Sequence, residues 1–269
     1  MSRALQMIHE GPVAVSAILQ QLRTLVREVK SRAYVPYSGR PAAVVLLLSD
    51  GAWIPGVRVE SASFSLTIPP LQNAWTTAVA LGRRDIVAAA FSEPVDVSSR
   101  AFLEELGILP EVECADLLTA SPEALPGLRE PLTPFWNGQL TLQQGIPVAR
   151  QVARRAWAPH SDFPVGCLLQ LKDGRCIPGV NVEHPDWTRT LCAERNALGT
   201  ALSYGITPAA WQALFLSCLK DTQGTPCGAC RQLLAEHRPD LPVWMDRGLE
   251  NPPQILRVDA MLPGFFVLQ

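Results

Sequence analysis

Residues 31–82 recur at 154–205. A single shift of 123 positions aligns the two stretches without a gap, and 21 of the 52 pairs are identical. The matches fall where backbone demands are strict: Pro36 with Pro159, Pro41 with Pro164, Asp50-Gly51 with Asp173-Gly174, and Ile54-Pro55-Gly56-Val57 with Ile177-Pro178-Gly179-Val180. Ser38, Val59-Glu60 and Asn73-Ala74 match Ser161, Val182-Glu183 and Asn196-Ala197 in the same way. A period of this length is domain-sized, so the chain is expected to hold two copies of one module and not a solenoid of short repeats.

Apolar spacing gives each copy the same opening order. In the first, a helix is expected over 12–33, a strand over 42–48, a turn at Ser49-Asp50-Gly51, a strand over 53–59 and a helix over 71–81. In the second, a helix over 146–158 is followed by strands over 165–171 and 176–182, joined by a turn at Lys172-Asp173-Gly174. A helix over 192–204, a strand over 213–218, a helix over 227–236 and a strand over 243–245 complete it. Strands alternating with helices predict an α/β fold, a sheet with helices packed on it. Residues 116–143, rich in Pro and weak in periodicity, read as an ordered surface connector, which divides the chain into 1–115, 116–143 and 144–269.

Two modules of about 130 residues can each bury a core. The net charge is −2 and the pI is near 6.1, which disfavours a grip on a nucleic-acid backbone. The longest apolar run, Ala42 to Leu48, is far below the ~20 residues that span a bilayer, so no membrane segment is expected. Seven cysteines, an odd number, and a start Met1-Ser2-Arg3 without a secretory apolar region predict a reducing, cytoplasmic setting. Of these cysteines, Cys114, Cys167, Cys176 and Cys218 lie among apolar residues and are expected to be buried.

The other three have metal-ligand spacing. Cys192-Ala193-Glu194 is followed 35 residues later by Pro226-Cys227-Gly228-Ala229-Cys230. A C-x-x-C pair at the first turn of a helix, with one distant third ligand, suits a catalytic zinc site that keeps its fourth position open. Glu194, two residues after a ligand, cannot easily reach the same metal, but its carboxylate can carry a proton beside it. A lone C-x-x-C would equally be a redox pair or half of a structural site, and the second of these needs a fourth ligand that the motif does not offer. The three thiolates are expected at helix N-termini, where the macrodipole favours the anion. The first copy has Pro69-Pro70-Leu71 opposite Cys192-Ala193-Glu194, and its stretch resembling Cys230-Arg231-Gln232-Leu233-Leu234 is Ser99-Arg100-Ala101-Phe102-Leu103. Arg40 replaces Phe163 and Arg58 replaces Asn181. The first module is therefore expected to keep the scaffold without the site, leaving one zinc per chain.

The pairing of C-x-E with P-C-x-x-C resembles the signature of zinc-dependent nucleobase deaminases. With Pro159-His160-Ser161-Asp162-Phe163-Pro164-Val165-Gly166, Gly179-Val180-Asn181-Val182-Glu183 and Leu262-Pro263-Gly264-Phe265, the second module, about 146–264, resembles a cytidine deaminase. The resemblance implies duplicated deaminase-like modules, each a mixed β-sheet with helices on both faces. It implies hydrolytic deamination of cytidine or deoxycytidine in pyrimidine salvage, with zinc hydroxide attacking C4 and Glu194 shuttling the proton. Phe163 would stack on the base, Asn181 and Glu183 would hold the ribose hydroxyls, and Arg195 would hydrogen-bond the zinc-bound sulfurs and temper their charge. Glu60 stands opposite Glu183 in the first copy, so a structural task is also open to that glutamate. A plain core Phe, a turn Asn and a surface Arg are the alternatives at the other three positions.

The pattern departs from the family at His184-Pro185-Asp186-Trp187, which is expected to put an imidazole and an indole beside the sugar site. In the family's two-module, dimeric branch the intact module normally comes first; here the order is reversed, although Thr67-Ile68-Pro69-Pro70-Leu71-Gln72 resembles that branch's degenerate module. Single-module members assemble as tetramers whose sites neighbouring subunits complete, so the resemblance implies a homodimer of fused pairs. Deamination of another amino-pyrimidine, or a non-catalytic zinc-binding role, remain the alternative readings.

Overall fold

A computed structural model describes residues 12–107, 111–119 and 125–268. The side chain of Cys114 and the first residues of the chain lie outside the described set. Two five-stranded sheets are present, one per module. In the first module, α1 (Pro12–Lys30) precedes β1 (Ala43–Leu48), β2 (Trp53–Val57), α2 (Pro70–Ala80), β3 (Ile86–Phe91), α3 (Val97–Glu105), β4 (Glu111–Cys114) and β5 (Leu117–Thr119). The second runs α4 (Gly145–Ala153), β6 (Val165–Leu171), β7 (Cys176–Val180), α5 (Ala193–Ser203), β8 (Trp211–Cys218), α6 (Gly228–His237), β9 (Pro242–Met245), β10 (Gln254–Arg257) and α7 (Val258–Met261).

Every residue of β1 is buried, because the strand is covered on both faces. Ala43, Val45 and Leu47 pack with Leu22, Val26 and Val29 of α1, while Val44, Leu46 and Leu48 pack with Leu71, Ala74 and Ala78 of α2 and Phe102 of α3. This period-two division is why the segment is a continuous apolar run without alternation. Strands β2 and β7 end two residues earlier than the pattern predicts. The chain then continues through isolated bridges, Val59 with Tyr34 and Ile68, and Val182 with Trp157 and Leu191. The helix expected over 146–158 closes at Ala153, where Arg155 and Ala156 turn back onto the carbonyls of Val152 and Ala153.

The sheets differ at one edge. In the second, β8 pairs with β9 in parallel after the α6 crossover. In the first, α3 leads into the β4–β5 hairpin, and β5 lies antiparallel beside β3. Among the described residues the ladders between strands of the first sheet are all antiparallel, and the parallel ladder lies in the second module. Leu117–Thr119 therefore belongs to the first sheet and not to the connector expected from residue 116, because its side chains are buried. The connector beyond it is pinned to both modules: Arg129 N–H and Leu132 N–H donate to Gly51 O and Trp53 O, and Trp136 N–H and Leu140 N–H donate to Cys176 O and Gly174 O.

The modules meet through α2 and α5, related by the same 123-residue shift. Thr77 Oγ1 and Thr200 Oγ1, equivalent residues of the two copies, are 2.7 Å apart and buried. A pseudo-twofold axis passes between them. Asn73 Nδ2 donates to Val57 O, Gly199 O and Ser203 Oγ, crossing from one copy to the other. A Cβ at Gly199 would sit 2.5 Å from Asn73 Oδ1, so a larger residue there would displace that side chain. No helix among the described residues is long and apolar enough to cross a membrane.

Candidate active site

Cys192 and Cys227 are the N-cap residues of α5 and α6, both in extended backbone, and neither thiol caps its own helix. The sulfurs are thus left free to converge. Cys230 sits in the first turn of α6 and is fully buried. The Sγ atoms of Cys192 and Cys227 are 3.7 Å apart, those of Cys227 and Cys230 are 3.5 Å apart, and all three lie within 4.8 Å of one another. Two thiolates at about 2.3 Å from a tetrahedral zinc stand about 3.8 Å apart, so the cluster fits that ion. Among the described residues no fourth His, Cys, Asp or Glu joins the group, which leaves one coordination position for another ligand.

The depth of this corner is set by glycine. A Cβ on Gly179 of β7 would lie 2.2 Å from Ala193 O, so only glycine lets the start of α5 approach the strand. Gly56 does the same for Pro70 O in the first copy, again at 2.2 Å. The Cys227 thiol is pulled down to about 2 by the neighbouring thiols of Cys192 and Cys230, with help from the N–H groups of Cys230 and Ala229. Cys192 is pushed up to about 12, first by its contact with Cys227, and Cys230 is pushed up as well. A zinc ion would take all three as thiolates. The Glu194 side chain is 3% exposed, and burial pushes its carboxyl up to about 7.

The residues expected to face substrate are assembled beside the start of β6. Asn181 bridges that segment: its Nδ2 donates to Phe163 O at 3.0 Å and its Oδ1 accepts from Val165 N–H at 2.8 Å. Phe163 is half-buried and not a core residue. Glu183 is buried, and its Oε2 accepts from His160 N–H at 2.7 Å and Ser161 N–H at 3.2 Å while Ser161 Oγ donates to Oε1. Glu60 repeats this arrangement with Tyr37 N–H, Ser38 N–H and Ser38 Oγ. The loop-holding task of the glutamate is common to both copies. Even the backbone matches, since Asp162 and its equivalent Gly39 both have positive φ, 51° and 62°.

One expectation is corrected. His184 does not stand beside the sugar site: it is buried against the first module, stacked on Phe102 at 4.6 Å, with Nε2 3.1 Å from Phe102 O and Nδ1 accepting from Asp186 N–H. Trp187 is exposed. The Arg195 guanidinium donates to Leu66 O of the first module at 2.8 Å, and no hydrogen bond joins it to a sulfur among the described residues. A second tie lies nearby, where Glu236 accepts from Ser61 Oγ at 2.7 Å and Ala62 N–H at 2.9 Å. Sequence reasoning missed Leu66, Ser61 and Glu236 because pairs this distant leave no local pattern. Of the four other cysteines, Cys167 and Cys176 are buried as expected, whereas Cys218 is only partly buried, at the end of β8.

Two models described as the cytidine and deoxycytidylate deaminase zinc-binding region match the chain, over residues 141–245 and 3–99. A cytidine deaminase of Sporosarcina psychrophila is 35% identical over 130 residues, covering 47% of this chain and 92% of the relative. The chain belongs to the cytidine deaminase family. A cytidine deaminase of Halalkalibacterium halodurans is 38% identical over 130 residues, covering 47% of this chain and 95% of its own length. The crystal structure of the cytidine deaminase from Burkholderia pseudomallei is 34% identical, covering 47% of this chain and all of that one, at a TM-score of 0.44. As a member of this family the chain is a two-module hydrolase of the zinc-dependent aminohydrolase class. Its N-terminal module matches the zinc-binding region while lacking every ligand of the cluster.

Proposed function

We propose that the chain deaminates cytidine or deoxycytidine hydrolytically in pyrimidine salvage, acting in the cytoplasm as a homodimer. The observation that carries this reading is the three-cysteine cluster with an open fourth position beside a buried carboxyl two residues from a ligand. Cys192, Cys227 and Cys230 hold zinc, which when bound acts as a Lewis acid and makes water a competent nucleophile at neutral pH. Glu194 moves the protons: its buried carboxylate takes one from the attacking water and gives it to N3 of the base, then takes a second from the hydroxyl added at C4 and gives it to the amino group, which departs as ammonia. Phe163 supplies a flat wall for the base, held by Asn181 through its carbonyl. Glu183 fixes the 160–161 loop and offers its remaining acceptor capacity to the sugar, with Asn181 beside it.

Cys227 is exposed in the single chain, so the site is open on one side. Phe64 and Trp187, equivalent residues of the two copies, are 87% and 59% exposed. A second copy packing over these faces would enclose both, which supports a dimer of fused pairs. The division into an inert module, a connector and a catalytic module from 144 onward follows from the same placement of ligands. Purified protein incubated with cytosine, cytidine, deoxycytidine, their monophosphates and a short single-stranded oligonucleotide, with ammonia release as readout, tests the reading. Release from the two nucleosides well above the rest is expected; release from none of them refutes it.

A further inference from the structure

We propose that the metal-free module retains its pocket as a binding site for a phosphorylated nucleoside. A cavity of about 560 Å3, within the range of small-molecule sites, lies over the first module and not over the cysteines. Its lining is the first copy's version of the catalytic face. Arg40 stands where the second copy has Phe163, Arg58 where it has Asn181, and Pro69 and Leu71 where it has Cys192 and Glu194. The metal ligand and the proton carrier are gone and the space has stayed. Phe91 and Phe102 give it an apolar wall.

What has changed besides the chemistry is charge. A smaller cavity of about 320 Å3 shares Arg40, Ala42, Arg58 and Glu93 with the larger one and adds Lys30. Three cations there face one carboxylate, Glu93, which Lys30 holds at 2.5 Å. The two other carboxylates of the main cavity are engaged by the protein's own donors, Glu60 by the 37–38 loop and Asp96 by Ser99 N–H at 2.6 Å. Arg189, reaching in from the second module, is paired with Glu105 and Asp186. Arg58 donates to Arg40 O at 2.9 Å, and among the described residues neither Arg40 nor Arg58 forms a salt bridge. Two guanidiniums without a salt bridge, Arg58 meeting Glu60 only through its field, at the junction of an apolar-walled cavity and a basic annex, match a phosphate ester by paired N–H···O contacts. The nucleoside half of the ligand rests on the function proposed above, since the cavity is the counterpart of the one assigned to cytidine. The phosphate half rests on the arginines alone.

Calorimetric titration of the zinc-loaded full chain carrying Glu194→Gln, to stop turnover, decides it. Cytidine 5′-monophosphate, cytidine and inorganic phosphate are titrated separately, in that protein and in the same protein with Arg40→Ala and Arg58→Ala added. Zinc content and melting temperature report folding, and Arg58→Asn, the residue of the other copy, is the second variant should the double change unfold the module. The monophosphate is expected to bind at a site that the arginine changes weaken by roughly tenfold or more, with cytidine binding unmoved. Monophosphate binding that is absent, indifferent to both sets of changes, or matched by inorganic phosphate overturns the proposal. Failure of the functional reading shows separately, as no cytidine binding and no ammonia release by the parent chain.

Discussion

Glu183→Gln separates the two tasks assigned to one side chain, and the molecule carries its own control in Glu60→Gln. Each carboxylate is buried and accepts from two backbone N–H groups and one hydroxyl. An amide keeps one acceptor oxygen and turns an NH2 towards the remaining donors, so at least one buried N–H loses its partner, at a cost of about 1–3 kcal/mol. With loss of the charge assistance the expected destabilisation is about 2 kcal/mol for either variant, a fall in melting temperature of roughly 4–8 °C. Burial raises the Glu60 carboxyl, and the hydrogen bonds of Ser38 and Tyr37 outweigh this and leave it lowered. Its contribution is therefore present above the unfolded value and is lost as pH falls through the folded one. Stability should respond alike in the two variants; catalysis should not. Glu183→Gln is expected to raise KM for cytidine about tenfold, the value of one hydrogen bond to a charged group, while leaving free cytosine unaffected, and Glu60→Gln should leave both. Equal stability losses with an unchanged cytidine KM in both variants would reduce Glu183 to a loop support and refute the sugar contact.

Glu194→Gln should retain one zinc per chain by elemental analysis and lower turnover by about 10²–10⁴ or more, whereas Cys192→Ala should lose the metal; two zincs per chain would contradict the inert first module. His237 has its pKa pushed down to about 4 by burial, its ring lying 4.4 Å from that of Tyr34 and its Nε2 without a hydrogen-bond partner among the described residues. Since the unfolded chain takes the proton near 6.5, stability should be complete above that value and fall by up to about 3 kcal/mol as pH drops to 4, a slope that His237→Phe should remove in thermal melts. Light scattering should give a dimer at micromolar concentration, and the segment 140–269 alone should be poorly soluble or weakly active; a stable monomer together with a fully active segment would refute the role given to the first module.

The sequence was most legible where two copies could be read against each other. The repeat located β1, β2 and α2 together with β6, β7 and α5, and the ligand spacing put Cys192 and Cys227 at helix starts, where the structure has them as N-caps. Beyond Gly82 the match fades, and β3, α3, β4 and β5 went unread. Ile86–Phe91 is three alanines between larger apolar residues, with no alternation to mark a strand whose inner residues are covered on both faces. Only the likeness of 99–103 to 230–234 pointed to α3, which does occupy the place of α6 in chain order. The ties between modules were invisible for a different reason. His184 on Phe102, Arg195 on Leu66 O and Asn73 on Gly199 O are contacts between residues that satisfy no local rule, and each makes sense only once α2 and α5 are packed about a common axis.

That axis also explains why a module without a metal would be kept. Among the residues identical in the two copies are four pairs that join strand, helix and loop or meet at the shared contact: Asn73 and Asn196, Thr77 and Thr200, Gly56 and Gly179, Glu60 and Glu183. The positions of the cysteine ligand and of Glu194 are among those that differ. Asn196 accounts for the strength of this constraint, since its Oδ1 accepts from Val180 N–H and so ties α5 to β7, while Asn73 Nδ2 reaches Val57 O in β2 and the helix of the other copy. Removing the first module would strip Gly199, Thr200 and Ser203 of their contacts with Asn73 and Thr77, leaving on α5 the bond from Ser203 Oγ to Gly199 O. Water would satisfy those polar groups, so the cost falls on the apolar surface laid bare around them, about 25 cal/mol per Å2. The first copy is in this sense the other half of the environment of α5, although it lacks the cysteines of the cluster.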